Sequence, residues 1–418
     1  MQRLMTHQEH SRQRRVLILV ENLPSPFDRR VWQEACALRD AGYIVSIICP
    51  TGPGCEKKFE ALDGIHIHRY DLLVEASGAA GYAVEYTLAL WHTAVLIWRV
   101  LWTRGFDVIH ACNPPDLFFL FGGFFKLFGK KFVFDHHDLC PELYEAKFGR
   151  RDVFYYLLRQ LEYWTFRVAD LSIATNESYR SVAVERGRMS PAQVSIVRSG
   201  PSLERMKIVP ADERLKHGRR YLVGYVGVMG KQEGIDLLLE AVWHLVFGMR
   251  RTDIQFGLAG SGTSLEEMKA FAKKLGVSDY VTFTGRIPDR DLLVLLNTAD
   301  VCVNPDVANE MNDKSTMNKI MEYMALGKPI VQFDLTEGRR SAQQASLYAR
   351  KNDPSDFAAR IVELMDDAPR RSEMGAFGRR RVENELGWHH EAPKLLAAYD
   401  ALWADQDVSA AARSAGMR

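Results

Sequence analysis

The 418-residue chain carries 54 Lys and Arg against 53 Asp and Glu, and 47% of its residues are hydrophobic. That length allows about two or three domains, and the balanced charge excludes bulk attraction to nucleic acid, so an anionic partner must be met by a local patch. Six cysteines without a Cys-x-x-Cys pair exclude a zinc finger and fit buried thiols in a reducing, cytoplasmic setting.

Residues 1–15 read as a disordered basic tail ending in Arg14 and Arg15, without the apolar core or cleavage site of a signal peptide. A strand, Val16–Val20, follows. Pro24-Ser-Pro26 then holds an exposed loop, because proline blocks an early helix. Val31, Ala35 and Leu38 recur at helical spacing up to Ala41, and Gly42 stops the helix. Asp28, Arg29 and Arg30 stand at its start. Cations there oppose the helix dipole unless an anion is near, which points to a phosphate or carboxylate partner; two solvated arginines are the plain alternative.

Further strands are expected at Ile44–Cys49, Ile65–His68, Val108–His110, Phe132–Asp135, Leu171–Ala174 and Val194–Val197. Between them, Tyr86 to Trp98 is uncharged but shorter than the ~20 residues of a membrane span. Trp91, Trp98, Arg99 and Trp102, with the aromatic run Leu117 to Lys131, suit either an interfacial membrane contact or a helix buried on the sheet. Phe132–Asp135 ends in Asp135, and His136, His137, Asp138 and Glu142 follow; two histidines and three carboxylates at a strand's end suit metal or acid–base chemistry. No second His/Asp cluster stands at metal spacing, so the expectation is a metal-free site using His137 beside Asp138.

Ser202 to Arg220 is polar, holds Pro210 and reads as a linker. The strand rhythm restarts with Val223–Val226, Ile254–Leu258, Val281–Thr284, Val301–Val303 and Pro329–Phe333. Gly227 and Gly230 close the first of these strands, Lys231 follows, and a helix opens at Gly234-Ile-Asp236. A second glycine turn holds Gly260. Such turns let backbone N–H groups approach phosphate oxygens, although many hold glycine for packing alone. Farther on, Ser315 or Thr316 is expected to cap a helix running to Leu326, with Gly327 and Pro329 ending it. Ser315, Lys319 and Glu322 then share one face. The lysine can neutralise a diphosphate and the carboxylate can accept both ribose hydroxyls. A solvated Lys–Glu pair worth a few tenths of a kcal/mol is the equal alternative.

Alternating strands and helices in both halves give the fold class: α/β, with two Rossmann-like doubly wound domains facing across a cleft. The boundaries are 16–203, 204–390, and 391–418 as a helix packing back on the first domain before fading into a tail after Asp407.

The ordered segments PFDRRVWQEACALRDAGY, DVIHACNPPDL, DHHDLCPELY, GYVGVMGKQEGIDLLLEA, LAGSG and NKIMEYMALGKPIV together resemble the family 4 glycosyltransferases of the GT-B fold, in the branch that builds bacterial surface polysaccharides. The resemblance runs from about Val16 to Tyr399. It implies retaining, metal-independent and cofactor-free transfer from a nucleotide-sugar donor, UDP-linked on family frequency, to a saccharide or polyprenyl-linked acceptor. It makes the first domain the acceptor side and the second the donor side. Glu322 matches the ribose-binding carboxylate, His137 the histidine near the transferred sugar, and Gly227 and Gly230 the phosphate turn. Three positions depart from the pattern. Lys314 replaces a glutamate eight residues before Glu322, Val228 and Glu233 replace the turn's Arg and Lys, and Pro24-Ser-Pro26 replaces a glycine pair. Lys319, or else Lys231, is the expected substitute cation. A nucleotide-sugar epimerase or hydrolase, and a catalytically silent sugar-nucleotide-binding subunit, remain open alternatives.

Overall fold

The computed structural model describes residues 13–71 and 78–415, with side-chain surroundings given outside 78–85 and 405–415. Of the expected basic tail, residues 1–12 lie outside the described residues. Eight strands build the first sheet: β1 Arg15–Leu19, β2 Ile44–Pro50, β3 Phe59–Leu62, β4 Ile65–Tyr70, β5 Val108–Cys112, β6 Lys131–His136, β7 Leu171–Ala174 and β8 Val194–Ile196. Their order is β3-β4-β2-β1-β5-β6-β7-β8, parallel except for the β3–β4 edge pair. The second sheet is wholly parallel: β9 Tyr221–Val226, β10 Ile254–Ala259, β11 Val281–Gly285, β12 Val301–Asn304, β13 Ile330–Phe333 and β14 Ser346–Ala349, ordered β11-β10-β9-β12-β13-β14.

Helices cover both faces of each sheet, so a central strand such as β1 is apolar on both faces from Val16 to Leu19. In β1, Val16 and Ile18 face one core with Val31, Ala35 and Leu38 of the helix Arg29–Asp40. Leu17 and Leu19 face the opposite core with Ile97 and Val100 of the helix Gly78–Thr103. Truncating any one of these buried leucines to alanine removes about 2–5 kcal/mol. The second sheet repeats the arrangement, with Val223 and Tyr225 on one side and Leu222 on the other.

Strand order reverses direction at β1 in the first sheet and at β9 in the second. Ligands of such sheets bind outside the carboxyl ends at these switch points. The loops leaving β1 and β9 carry Pro24 to Arg30 and Gly227 to Gly234.

The helix Trp388–Ala415 returns to the first domain, where Leu395, Tyr399, Leu402 and Trp403 join the core beside the helix Arg29–Asp40. Its expected fading after Asp407 is corrected: the helix runs on through Ala410, Ala411 and Ala412, as alanine's high helix propensity favours. Two strands escaped the sequence pattern. β3 is a half-exposed antiparallel edge with Phe59 outward, and β14 is a four-residue edge strand; neither has a long apolar run to announce it.

The stretch expected as either a buried or an interfacial helix is a helix with one face buried on the sheet and one face exposed. The helix Gly78–Thr103 buries Ala89, Thr93, Ile97 and Val100 but leaves Trp91 68%, Trp98 44% and Trp102 82% exposed. Leu120, Phe124, Leu127 and Phe128 are exposed too, and the rings of Trp98 and Phe124 meet at 6.2 Å. No helix among the described residues is long and apolar enough to cross a membrane.

Candidate functional site

The first-domain wall is assembled at the carboxyl ends of β1, β5 and β6. Asp28 caps the helix Arg29–Asp40, accepting the Val31 N–H at 3.2 Å, so its carboxylate serves the helix start. Arg30 is corrected from a ligand-facing cation to an internal one. It is buried and gives two bonds to Asp135, at 2.6 and 3.0 Å, with Glu34 at 3.0 Å and the Val197 carbonyl at 3.0 Å. A guanidinium buried at a helix start requires such partners, and they come from one turn along its helix and from the end of β6.

Asp135 next holds His137, with Nδ1 3.3 Å from Oδ2. Burial pushes the Asp135 carboxyl up, but the Arg30 charge and its hydrogen bonds to His110 and His137 outweigh that and hold it well below the usual range. Burial likewise disfavours a charged His137 ring, yet its bond to Asp135 and the charges of Asp135 and Asp138 prevail, raising its pKa to about 9. His137 is therefore a cation at neutral pH and a hydrogen-bond donor, not a base. Asp138 is itself raised, chiefly by burial. Asn113 fixes this loop: its Oδ1 accepts the His137 and Asp138 N–H groups at 2.9 and 3.0 Å, and its Nδ2 donates to the Asp138 carbonyl at 2.7 Å. Asp135 belonged to the ionisable run noted in the sequence, whereas Asn113 was not singled out; its signal was placement at the carboxyl end of β5.

In the second domain the two glycine turns pack backbone on backbone. The Gly227 N–H donates to the Ala259 carbonyl at 3.1 Å and Met229 N–H to the Ser261 carbonyl at 3.0 Å. Gly260 lies at φ +147°, where a Cβ would collide with the Gly227 carbonyl oxygen, so the close approach demands glycine. Gly230 precedes the short turn Lys231–Glu233, and Gly234 begins the helix Ile235–Trp243. Lys231 is exposed and, with Gly230, Asp236 and Lys274, lines a cavity of about 550 Å³ between that helix and Leu265–Leu275.

The expected single helix from Ser315 is corrected. Two helices, Glu310–Lys314 and Asn318–Ala325, flank an extended break, and Met317 stands where a cap was expected. Ser315 donates to the Met311 carbonyl at 2.7 Å, closing the first helix, so it does not share a helical face with Lys319 and Glu322. Lys319 is nearly buried and bonded to Glu233 at 2.7 Å and Asp306 at 2.8 Å, above the Tyr225 ring. Its charge is engaged by carboxylates, one of them the Glu233 that replaces the family's basic residue. Burial pushes Asp306 up to about 7 against the opposing charge of Lys319.

Glu322, with 14% of its side chain exposed, receives Arg29 across the cleft at 3.2 Å and Arg205 from the linker. The same two arginines reach Asp289, at 2.9 and 3.3 Å. Arg286 lies 4.3 Å over the Phe27 ring. Along the other rim, Asn176 donates to the Lys314 carbonyl and Thr316, Tyr179 meets Ser315, Ser178 donates to Glu337, and Arg151 pairs with Glu310. Lys314 faces Glu310 at 2.7 Å and Glu142 of the first domain at 3.8 Å. Arg205, Asp289 and Arg286 carried no sequence signal, because their partners lie far along the chain.

One His–Cys–Asp group among the described residues, His110, Cys112 and Asp135, has ligand atoms within 4.8 Å of one another. Arg30 already fills the Asp135 carboxylate, and His110 Nδ1 bonds Tyr399 at 2.7 Å, so the donor set does not suit a cation.

Comparison with known proteins follows the same division. The pattern described as Glycosyltransferase Family 4 matches residues 28–205, and that described as Glycosyl transferases group 1 matches residues 220–367. A 2-deoxystreptamine glucosyltransferase of Streptomyces kanamyceticus is 26% identical over 260 residues, 58% of this chain and 64% of that protein. The chain spans under two thirds of the length of the curated relatives it matches first. Among solved structures, sucrose-phosphate synthase from Thermosynechococcus elongatus superposes with a TM-score of 0.78 at 18% identity, over 94% of this chain and 100% of that one. An Anabaena protein in complex with UDP-glucose gives 0.71 at 14% identity, over 93% and 99%. At such identity these likenesses show the two-domain GT-B fold.

Proposed function

The chain belongs to glycosyltransferase family 4, and from that premise we propose that it is a retaining, metal-independent glycosyltransferase, moving a sugar from a nucleoside diphosphate donor to a saccharide or lipid-linked saccharide in surface-polysaccharide synthesis. One observation carries the reading. Polar contacts link His137 through Asp135 to Arg30, and the next residue along the chain, Arg29, reaches across the cleft to Glu322. The two candidate ligand groups, on different domains and 185 positions apart in the chain, thus line one cleft at both switch points.

In this reading Glu322 accepts the two ribose hydroxyls, while the diphosphate lies against the backbone of the turns at Gly227, Gly230 and Gly260. Protonated His137 donates to an oxygen of the transferred sugar. The acceptor oxygen bonds the anomeric carbon on the face from which the diphosphate departs, and the acceptor proton passes to the leaving phosphate oxygen. The protein contributes orientation and charge stabilisation rather than a nucleophile. Uridine is the favoured nucleoside; the Anabaena neighbour's complex with UDP-glucose supports that choice.

A thermal-shift screen of UDP- and GDP-sugars tests the donor, since a ligand at a hundred times its Kd adds about 2.7 kcal/mol to the folded state. Transfer is then followed by NMR, which reads the anomeric configuration of the product. Glu322→Ala and His137→Ala are expected to lose transfer. Full activity in both would overturn the site, and an inverted product would overturn the retaining mechanism. A wild type that binds donor yet never turns over would be the silent subunit.

The exposed Trp91, Trp98 and Trp102 beside Arg99 and the aromatic cluster at Phe124 and Phe128 support contact with an anionic membrane surface, where lipid-linked acceptors reside. Flotation with phosphatidylglycerol vesicles is expected to carry the wild type but not Trp98→Ala/Trp102→Ala. Equal, soluble partition of both would remove this part of the proposal.

A further inference from the structure

The donor reading leaves a charge unaccounted for. A nucleoside diphosphate brings two or more negative charges, and the turn that should meet them offers Val228 and Glu233. Lys319 is engaged by two carboxylates and Arg30 is internal to the first domain. Two cations at Glu322 are of a different kind. Among the described residues, every side-chain partner of Arg29 is Asp289 or Glu322, and the same holds for Arg205. Both arginines are partly exposed, at 47% and 27% of the side chain, and neither is anchored within its own segment. Arg29 also occupies the first turn of a helix, where the dipole opposes a cation.

We infer that Arg29 and Arg205 are the diphosphate-binding cations of this chain, parked on Glu322 and Asp289 until nucleotide arrives. The inference rests on the donor reading above and adds the groups that carry the phosphate charge. Both guanidiniums sit on Oε1 of Glu322, so a ribose that takes both oxygens of this carboxylate competes with them. When the ribose takes the carboxylate, both arginines lose that partner while remaining at the cleft. A diphosphate supplies pairs of oxygens that the planar guanidinium fork can bind bidentately. Exchange of one anion for another keeps both charges paired throughout, so no arginine is left uncompensated.

The exchange predicts effects of opposite sign on two ligands. Neutralising the arginines unmasks Glu322, so a nucleoside without phosphates binds equally or more tightly. The corresponding diphosphate binds more weakly, by roughly tenfold for each arginine removed. Calorimetric titration of the wild type, Arg29→Gln, Arg205→Gln and the double variant with uridine and UDP, and with guanosine and GDP, measures both. The expected result is a diphosphate-to-nucleoside affinity ratio falling about tenfold per substitution, with Arg205→Lys recovering only part of the loss because an ammonium lacks the bidentate fork. An unchanged ratio, or a parallel loss for nucleoside and diphosphate, would overturn the inference while leaving the donor reading intact. A wild type that binds neither diphosphate overturns both.

Discussion

Substituting Asp135 by asparagine removes one charge at nearly constant volume from the most buried part of the site. The carboxylate is fully buried and holds Arg30 through two bonds and His137 through a third. Breaking a buried pair by removing one partner leaves the other uncompensated and costs about 3–5 kcal/mol. Glu34, 3.0 Å from Arg30, offsets part of that and places the expectation at the lower end. The second effect falls on His137, whose pKa is raised from 6.5 to about 9. A group raised on folding contributes stability that is complete below its unfolded pKa and is lost as pH rises through its folded one. His137 therefore contributes fully below about pH 6.5 and loses its contribution on the way to about pH 9, with an upper bound of about 3 kcal/mol. In Asp135→Asn burial acts on the ring with only Asp138 opposing it, so the pKa of the histidine should fall well below about 9 and this slope should be lost. NMR titration of the histidine Cε1–H resonances, assigned with His137→Gln, reads the first expectation, and urea denaturation at pH 6.5, 8 and 9 reads the second. A His137 resonance still titrating near pH 9 in the variant would refute the assignment of its charge to Asp135.

Three further outcomes follow from the same structure. Lys319→Met leaves Glu233 and the buried Asp306 facing each other, a loss of about 3–5 kcal/mol; because Asp306 is pushed up to about 7, the deficit in denaturant should be larger at pH 8 than at pH 5, and equal deficits would contradict the pairing. Gly260→Ala adds a Cβ against the Gly227 carbonyl at a left-handed φ, with backbone strain alone of about 1–3 kcal/mol; donor binding should fall with it, and a variant with wild-type melting temperature and donor affinity would show that the turn is not so constrained. Lys314→Glu installs the family's glutamate beside Glu310 and Glu142, turning attraction into repulsion worth about 1–2 kcal/mol at this partly exposed site; the melting temperature should fall and kcat should not rise, and a faster enzyme would show that position 314 serves the substrate.

The fold was legible because buried parallel strands are written as apolar runs, and twelve of them could be read in order. Periodicity failed where burial was partial, at β3 and β14. The site was legible only where one segment held its own chemistry. His137 stood out in a run of ionisable residues, and Glu322 in a segment resembling a known family. Arg30 was misread because the dipole argument asks for an anion without saying whose; the anion was Asp135, 105 positions away and inside the same domain. Ser315 was misread because serine both caps and ends helices, and here its hydroxyl turns back to Met311. Arg205 was invisible because nothing around it in the linker marks it, while its partners stand at 289 and 322.

The contacts closing the cleft differ in kind from those building each wall. In the inner wall of the first domain the ion pair is buried: Arg30 and Asp135 have 6% and 0% of their side chains exposed. Across the cleft, Arg29 with Asp289 and Arg151 with Glu310 are about half exposed on both sides. Exposed pairs contribute about 0–1 kcal/mol each and weaken with salt, whereas breaking the buried ones costs several. Nucleotide binding of ordinary micromolar strength, about 8 kcal/mol, exceeds what the rim contacts jointly oppose. The orientation of His137 does not depend on the exposed rim pairs, since Asp135 and Asn113 hold it from within the first domain. The exchangeable cations, Arg29 and Arg205, sit at a helix start and in the linker, whereas the fixed one, His137, sits at the end of β6.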